Sequence, residues 1–142
     1  DCSRLASLDV SHFDTSKVTN MHYMFNGCRL LTTLDVGNFN TSKVTNMKSM
    51  FFGCTSLTSL DVSNFNTSKA TDMSSMFYYC SSLTTLKLGC FNTSKAYYSN
   101  IFEHMNTNAM LYTYSQNTKD WILNLSSDNR PSAWTTNNII VQ

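Results

Sequence analysis

Proline and glycine are scarce in this chain, with one Pro and four Gly among 142 residues, so its turns must rest largely on other residues. Charge is scarce as well: 13% of the residues are charged, and 10 Lys+Arg against 9 Asp+Glu leave a formal net charge of +1. Nucleic acids and anionic membranes are bound through basic patches or stripes, so neither is an expected partner. No apolar run approaches the roughly 20 residues of a membrane span, and membrane insertion is not expected. The opening Asp1-Cys2-Ser3-Arg4 does not read as a signal peptide. Neutral polarity is what abounds: Ser, Thr and Asn together make 54 residues, about 38% of the chain. The 42% of apolar residues provide enough surface to close a core, which excludes a disordered tail.

Much of that polarity is one unit written several times. Cys2, Cys28, Cys54 and Cys80 fall 26 residues apart, and residues 29–54 match 55–80 at 17 of 26 positions. The first unit runs from Arg4-Leu5-Ala6-Ser7-Leu8-Asp9-Val10 to Met24-Phe25-Asn26-Gly27-Cys28. The fourth keeps Leu83, Leu86, Leu88, Phe91 and Lys95 in register. It then slips, because Ile101-Phe102 stands one residue early against Met76-Phe77. Repetition ends near Met105. The chain therefore divides into a four-unit array over residues 1–105 and a different segment over 106–142. Because the array opens in mid-unit, at the cysteine position, it is expected to be a piece of a longer one, with neighbouring repeats of the parent chain as partners.

Two periodicities share each unit. Met21, Met24, Phe25 and Cys28 lie at i, i+3, i+4 and i+7, the spacing of one face of a short helix, and the later units repeat it. Thr19-Asn20, Thr45-Asn46 and Thr71-Asp72 precede these runs as expected N-caps. In the other half, Leu8 and Val10 alternate with Ser7, Asp9 and Ser11, the period-2 sign of a half-buried strand. Phe13 is expected in the core, Asp14-Thr15-Ser16-Lys17 in a turn, and Val18 back in the core on a second short strand. A single unit cannot shelter its inward side chains Leu5, Leu8, Val10, Phe13, Val18, Met21, Met24, Phe25 and Cys28. Stacked units can, with equivalent strands paired in a parallel sheet, and that arrangement is a solenoid. In the tail, Met110–Tyr114 and Trp121–Leu125 read as strands around the polar turn Gln116–Asp120, followed by Pro131, Trp134 and Ile139-Ile140-Val141. An open end would expose apolar surface and strand edges, so 106–142 is expected to be a C-terminal cap.

The run Leu31-Thr32-Thr33-Leu34-Asp35-Val36-Gly37-Asn38-Phe39-Asn40-Thr41-Ser42-Lys43-Val44-Thr45-Asn46-Met47, with Met50-Phe51-Phe52-Gly53-Cys54, resembles the 26-residue repeat of bacterial surface proteins, the BspA-like branch of the leucine-rich repeats. The tail from Trp121-Ile122-Leu123 through Asn129-Arg130-Pro131 to Trp134-Thr135 is similar to the segment that often closes such arrays. The resemblance implies an extracellular protein displayed on a bacterial cell surface, associated with adhesion or host contact and not with catalysis. The fourth unit departs from the pattern, with Lys87 in the Asp position and Tyr97-Tyr98 in place of Thr-Asn. The resulting fold class is a right-handed, leucine-rich-repeat-like solenoid with short parallel strands and short helices, plus a C-terminal cap.

Chemistry-bearing residues are few. Four of the five cysteines recur on the inward face, where a column of buried free thiols is expected; Cys90 replaces Asn38 and Asn64 on the surface. Ligands 26 residues apart with no nearby histidine offer no metal site, and no cofactor is expected. His12 and His22 occupy positions filled by Asn, Lys or Ser elsewhere and read as solvated. No nucleophile with its base, Gly-rich phosphate loop or carboxylate pair interrupts the repeat, so an enzyme is not expected. Asn40-Thr41-Ser42, Asn66-Thr67-Ser68, Asn92-Thr93-Ser94 and Asn124-Leu125-Ser126 fit the glycosylation sequon, but in a bacterial protein they are turn residues.

The candidate site is the outward face of the main strands. Ser7, Asp9, Thr33, Asp35, Ser59, Asp61, Thr85 and Lys87 are its candidate binding residues, flanked by Ser11, Gly37, Ser63 and Gly89. Stacked carboxylates repel, so Asp9, Asp35 and Asp61 need donors from turns, from lysines or from a bound cation. Lys17, Lys43, Lys69 and Lys95 form a separate column. The expected function is recognition of an extracellular or host protein or glycan through this face. A structural stalk that displays another domain is the alternative, and hydroxyl rows matching an ice lattice are a remote third reading.

Overall fold

The computed structural model describes residues 2–91 and 94–142; Asp1 and the Asn92-Thr93 pair of the fourth unit's turn and sequon lie outside the described residues. Successive repeat units are joined by backbone hydrogen bonds. The N–H groups of Met21, Tyr23, Phe25 and Gly27 donate to the carbonyls of Asn46, Lys48, Met50 and Phe52 at 2.7–3.0 Å. Met47, Ser49, Phe51 and Gly53 donate in the same way to Asp72, Ser74, Met76 and Tyr78, and Met73, Ser75, Phe77 and Tyr79 to Tyr97, Ser99, Ile101 and Glu103.

These segments are not the short helices that their spacing predicts. Within a unit, Met24 N–H donates to the Met21 carbonyl and Cys28 N–H to the Phe25 carbonyl, each at 3.3 Å. Tyr23 and Gly27 have φ of 58° and 69°, and the pairs Ser49/Gly53, Ser75/Tyr79 and Asn100/His104 repeat the positive values. The backbone thus makes two successive four-residue turns, each with φ > 0 at its third position. Two such turns carry positions 1, 4, 5 and 8 to the inside, the same residues as one face of a helix. The alternate N–H groups, freed from any helical ladder, bond to the next unit. The expected N-caps survive as turn caps: the side-chain oxygens of Asn20, Asn46 and Asp72 accept the N–H of His22, Lys48 and Ser74 at 2.9–3.0 Å. A one-residue parallel bridge links Asn20, Asn46, Asp72 and Tyr97 in order, in place of the second strand.

The sheet is parallel and four-stranded, in the order β1 (Ser59–Asp61), β2 (Thr85–Lys87), β3 (Met110–Thr113) and β4 (Ile139–Val141). It begins in the third unit rather than the first. Its first ladder is the one in which Asp61 faces Lys87, whereas the earlier ladders would place carboxylate opposite carboxylate, an unfavourable arrangement in a sheet. The tail departs from its expected form in one element. Residues Gln116–Leu123 form the helix α1, capped by Ser115, where a polar turn leading into a strand was expected. Thr118 and Ile122 are its buried residues while Asp120 between them is exposed, which is helical spacing, since a strand would place all three on one face.

The core follows the repeat. Phe25, Phe51, Phe77 and Phe102 stack in a ladder with centroids 5.6–5.7 Å apart and planes within 14° of parallel. Trp134, 2% exposed, packs on Phe102 at 5.6 Å and closes the ladder. Phe13 departs from expectation: it is 47% exposed, where its equivalents Phe39 and Phe65 are 3% exposed. Among the described residues the first unit has a neighbour on one side only, and the cover that later units give one another is missing there.

Candidate functional site

The strand face begins with the alternation of each unit. Leu34, Val36, Leu60, Val62, Leu86 and Leu88 turn into the core, which leaves the intervening side chains outside. Ser7, Asp9, Thr33, Asp35, Ser59 and Asp61 are exposed, while Thr85 and Lys87 are half-buried. Asp35 is the residue that joins the units. It lines one hollow of about 260 Å³ with Thr33, Ser59 and Asp61, and a second of about 200 Å³ with Asp9 and Ser11. Ser59 pairs in register with Thr85, and Asp61 with Lys87. Ser7 lines neither hollow.

The carboxylates find their donors in their own turns. Asp9, Asp35 and Asp61 each accept the N–H two residues on, from Ser11, Gly37 and Ser63, at 2.9–3.0 Å. The Ser11 N–H and then its hydroxyl hold the Asp9 carboxyl below the usual carboxylate range. At Asp61 burial pushes the carboxyl up. The Ser63 hydroxyl and N–H and the Lys87 ammonium, 3.2 Å away, outweigh that and leave it lowered. Lys87 is thus the charge partner of the preceding unit's carboxylate. The four column lysines Lys17, Lys43, Lys69 and Lys95 are exposed, as are His12 and His22.

Two features of this face escape sequence reading. β3 and β4 extend it beyond Lys87, with Tyr112 in register beside Lys87 and Ile140 beside Tyr112, so its polar surface ends in an aromatic and aliphatic margin. The alternation Met110-Leu111-Tyr112-Thr113-Tyr114 was the signal for β3. The other feature is a staple beneath the face. The Asn38 carboxamide donates to the carbonyls of Val10, Ser11 and Phe13 at 3.1–3.3 Å. Asn64 does the same to Val36, Gly37 and Phe39 at 3.0–3.4 Å. Recurrence at the corner after each strand was the signal. Cys90 takes this position in the fourth unit, where the chain instead closes up: a Cβ on Gly89 would lie 2.3 Å from the Ser63 carbonyl oxygen.

All five cysteines are free thiols; Cys28, Cys54 and Cys80 are buried, while Cys2 and Cys90 are exposed. Burial, with the neighbouring Cys2 thiol next in weight, pushes the Cys28 thiol up to about 12, and burial pushes Cys54 up to about 11 and Cys80 higher still. Since the thiolate is the reactive form, a disulfide-exchange reagent at neutral pH is expected to titrate two thiols rapidly in the native protein and five after denaturation without reductant. A denatured count of three or fewer would contradict the free column. Among the described residues no group of three His, Cys, Asp or Glu side chains is placed to hold a metal ion, and no helix is long and apolar enough to cross a membrane.

Residues 1–121 match the model of a protein family described as "Mycoplasma protein of unknown function, DUF285". The chain belongs to the DUF285 family. No curated protein and no solved structure matches it. The DUF285 match runs through the four repeat units, through β3 and into α1, ending at Trp121. Of the tail it therefore takes in the strand that carries the candidate face past Lys87.

Proposed function

We propose that this DUF285 chain is a non-enzymatic recognition module. In this reading it is a right-handed, leucine-rich-repeat-like solenoid of the BspA-like kind, capped by residues 106–142 and displayed outside a bacterial cell. It contacts an extracellular or host protein or glycan through its strand face. The observation that carries the reading is the pair of hollows between successive units, both lined by Asp35 and together by Asp9, Thr33, Ser59 and Asp61. Each Asp side chain is held by its own turn through one oxygen, so the face is preorganised and a ligand does not have to order it.

The test compares beads coated with the protein and with a variant carrying Thr33→Ala, Asp35→Asn, Ser59→Ala and Asp61→Asn, scored for adhesion to cultured epithelial cells. The carboxamides keep an acceptor for the turn N–H, so folding is expected to persist, with a melting temperature within about 5 °C of the parent. Adhesion is expected to fall about tenfold or more. Unchanged adhesion would support the stalk, in which the units only extend another domain away from the cell.

A further inference from the structure

The turn segments carry a second surface, apart from the strand face. After each ladder phenylalanine come two positions that form two rows across the units. One row is Asn26, Phe52, Tyr78 and Glu103; the other is Gly27, Gly53, Tyr79 and His104. Phe52 stacks on Tyr78 at 5.0 Å, and Tyr79 stacks on His104 at 4.6 Å. Tyr78 meets the edges of Tyr79 at 4.8 Å and His104 at 5.2 Å, which ties the rows into one aromatic cluster.

The second row is interrupted. One face of Tyr79 is covered by His104, and the next position along the row is Gly53, which has no side chain. A Cβ built on Gly53 would meet nothing nearer than the Gly27 Cα at 3.8 Å. Where a further ring would continue the stack there is a hollow of about 380 Å³, lined by Arg29, Phe52, Gly53, Thr55 and Tyr79. Tyr79 is 45% exposed, and Arg29 is exposed and paired with no acidic side chain among the described residues.

We infer that this hollow is a binding site for a sugar ring that carries a carboxylate, as in an acidic oligosaccharide. The apolar C–H face of such a ring matches the face of Tyr79, which offers the negative side of its π-system. The carboxylate matches the unpaired guanidinium of Arg29, a planar fork suited to carboxylates. The ring hydroxyls match Thr55 and the water at the open side. An aromatic acid shares the ring and the charge but has no hydroxyls for that wet margin.

The test is calorimetric titration of the full chain with trigalacturonate, with its methyl ester as the uncharged comparator and benzoate as the aromatic one. Trigalacturonate is expected to bind, and the methyl ester and benzoate about tenfold or more weakly. Tyr79→Gly restores the residue that the first two units carry here and suits the φ of 59° at this position, so the fold is retained. Tyr79→Gly and Arg29→Gln are each expected to weaken trigalacturonate binding about tenfold, while Lys17→Gln, at an exposed residue in neither site, leaves it unchanged. Absence of binding at about 10 mM, binding that survives both substitutions, or benzoate binding as tightly as trigalacturonate would overturn the assignment.

Discussion

Phe77→Ala is expected to destabilise the protein by about 3–5 kcal/mol, the range for removing a buried aromatic side chain without collapse of the cavity. Phe77 is fully buried, and its ring lies 5.7 Å from that of Phe51 and 5.6 Å from that of Phe102, almost parallel to both. Removing it breaks two stacked pairs, each worth about 0.5–1.5 kcal/mol beyond area burial. The surroundings cannot close the gap readily. Phe77 N–H donates to the Ile101 carbonyl, and the Phe51 N–H above it donates to Met76, so the backbone spacing of the units is held by hydrogen bonds. In a repeat array each unit contacts only its neighbours, and a cavity at Phe77, whose ring packs on the units before and after it, weakens both of its interfaces. With a total stability of about 5–15 kcal/mol, the variant would be marginal. Phe13→Ala is the control: Phe13 is 47% exposed, and its loss is expected to cost under about 1 kcal/mol. Equilibrium urea unfolding of the two variants checks the difference. Similar midpoints would show that the phenylalanine ladder is not a principal source of stability.

The repeat, the inward phenylalanines and the outward strand face were legible because they rest on spacing, and spacing survives without a structure. The turn segments were misread for a specific reason. Inward positions at i, i+3, i+4 and i+7 arise both from a helix and from two consecutive four-residue turns. Gly27 and Gly53 distinguish them, since glycine is costly inside a helix and favoured at a turn position of positive φ. Asn38 and Asn64 were legible as recurrent surface residues but not as donors to three carbonyls, because their acceptors lie 25–28 residues away and become neighbours only when the units stack. The same holds for Lys87: it read as a departure from the pattern, and register alone turns it into the partner of Asp61. The Tyr79 hollow was the least legible, because it depends on a missing side chain one unit away.

Removing residues 106–142 is expected to convert the protein into an aggregate. The deletion strips β2 of its partner β3, including the bonds from Met110 N–H to Thr84 and from Leu88 N–H to Tyr112, and leaves an open strand edge. An unpaired edge is a template for pairing with another chain. Phe102 would lose Trp134 and Trp121, which pack on it at 5.6 and 6.0 Å, and its N–H would lose the Asn129 carbonyl. Ile101, Leu86 and Leu88, all fully buried, border the same end of the array. A smaller lesion should separate the cover that residues 106–142 give from their mere presence. The Arg130 guanidinium donates to the carbonyls of Leu123, Pro131 and Trp134 at 2.8–3.2 Å and holds the segment that places Trp134. Arg130→Gln leaves some of those carbonyls unsatisfied, and at about 1–3 kcal/mol for each buried group the variant is expected to stay soluble but melt several degrees lower. Size-exclusion chromatography and thermal unfolding monitored by circular dichroism distinguish the outcomes. A truncated chain that elutes as a monomer and unfolds cooperatively would show that the first four units close their own end, and that residues 106–142 are an attachment and not a cap.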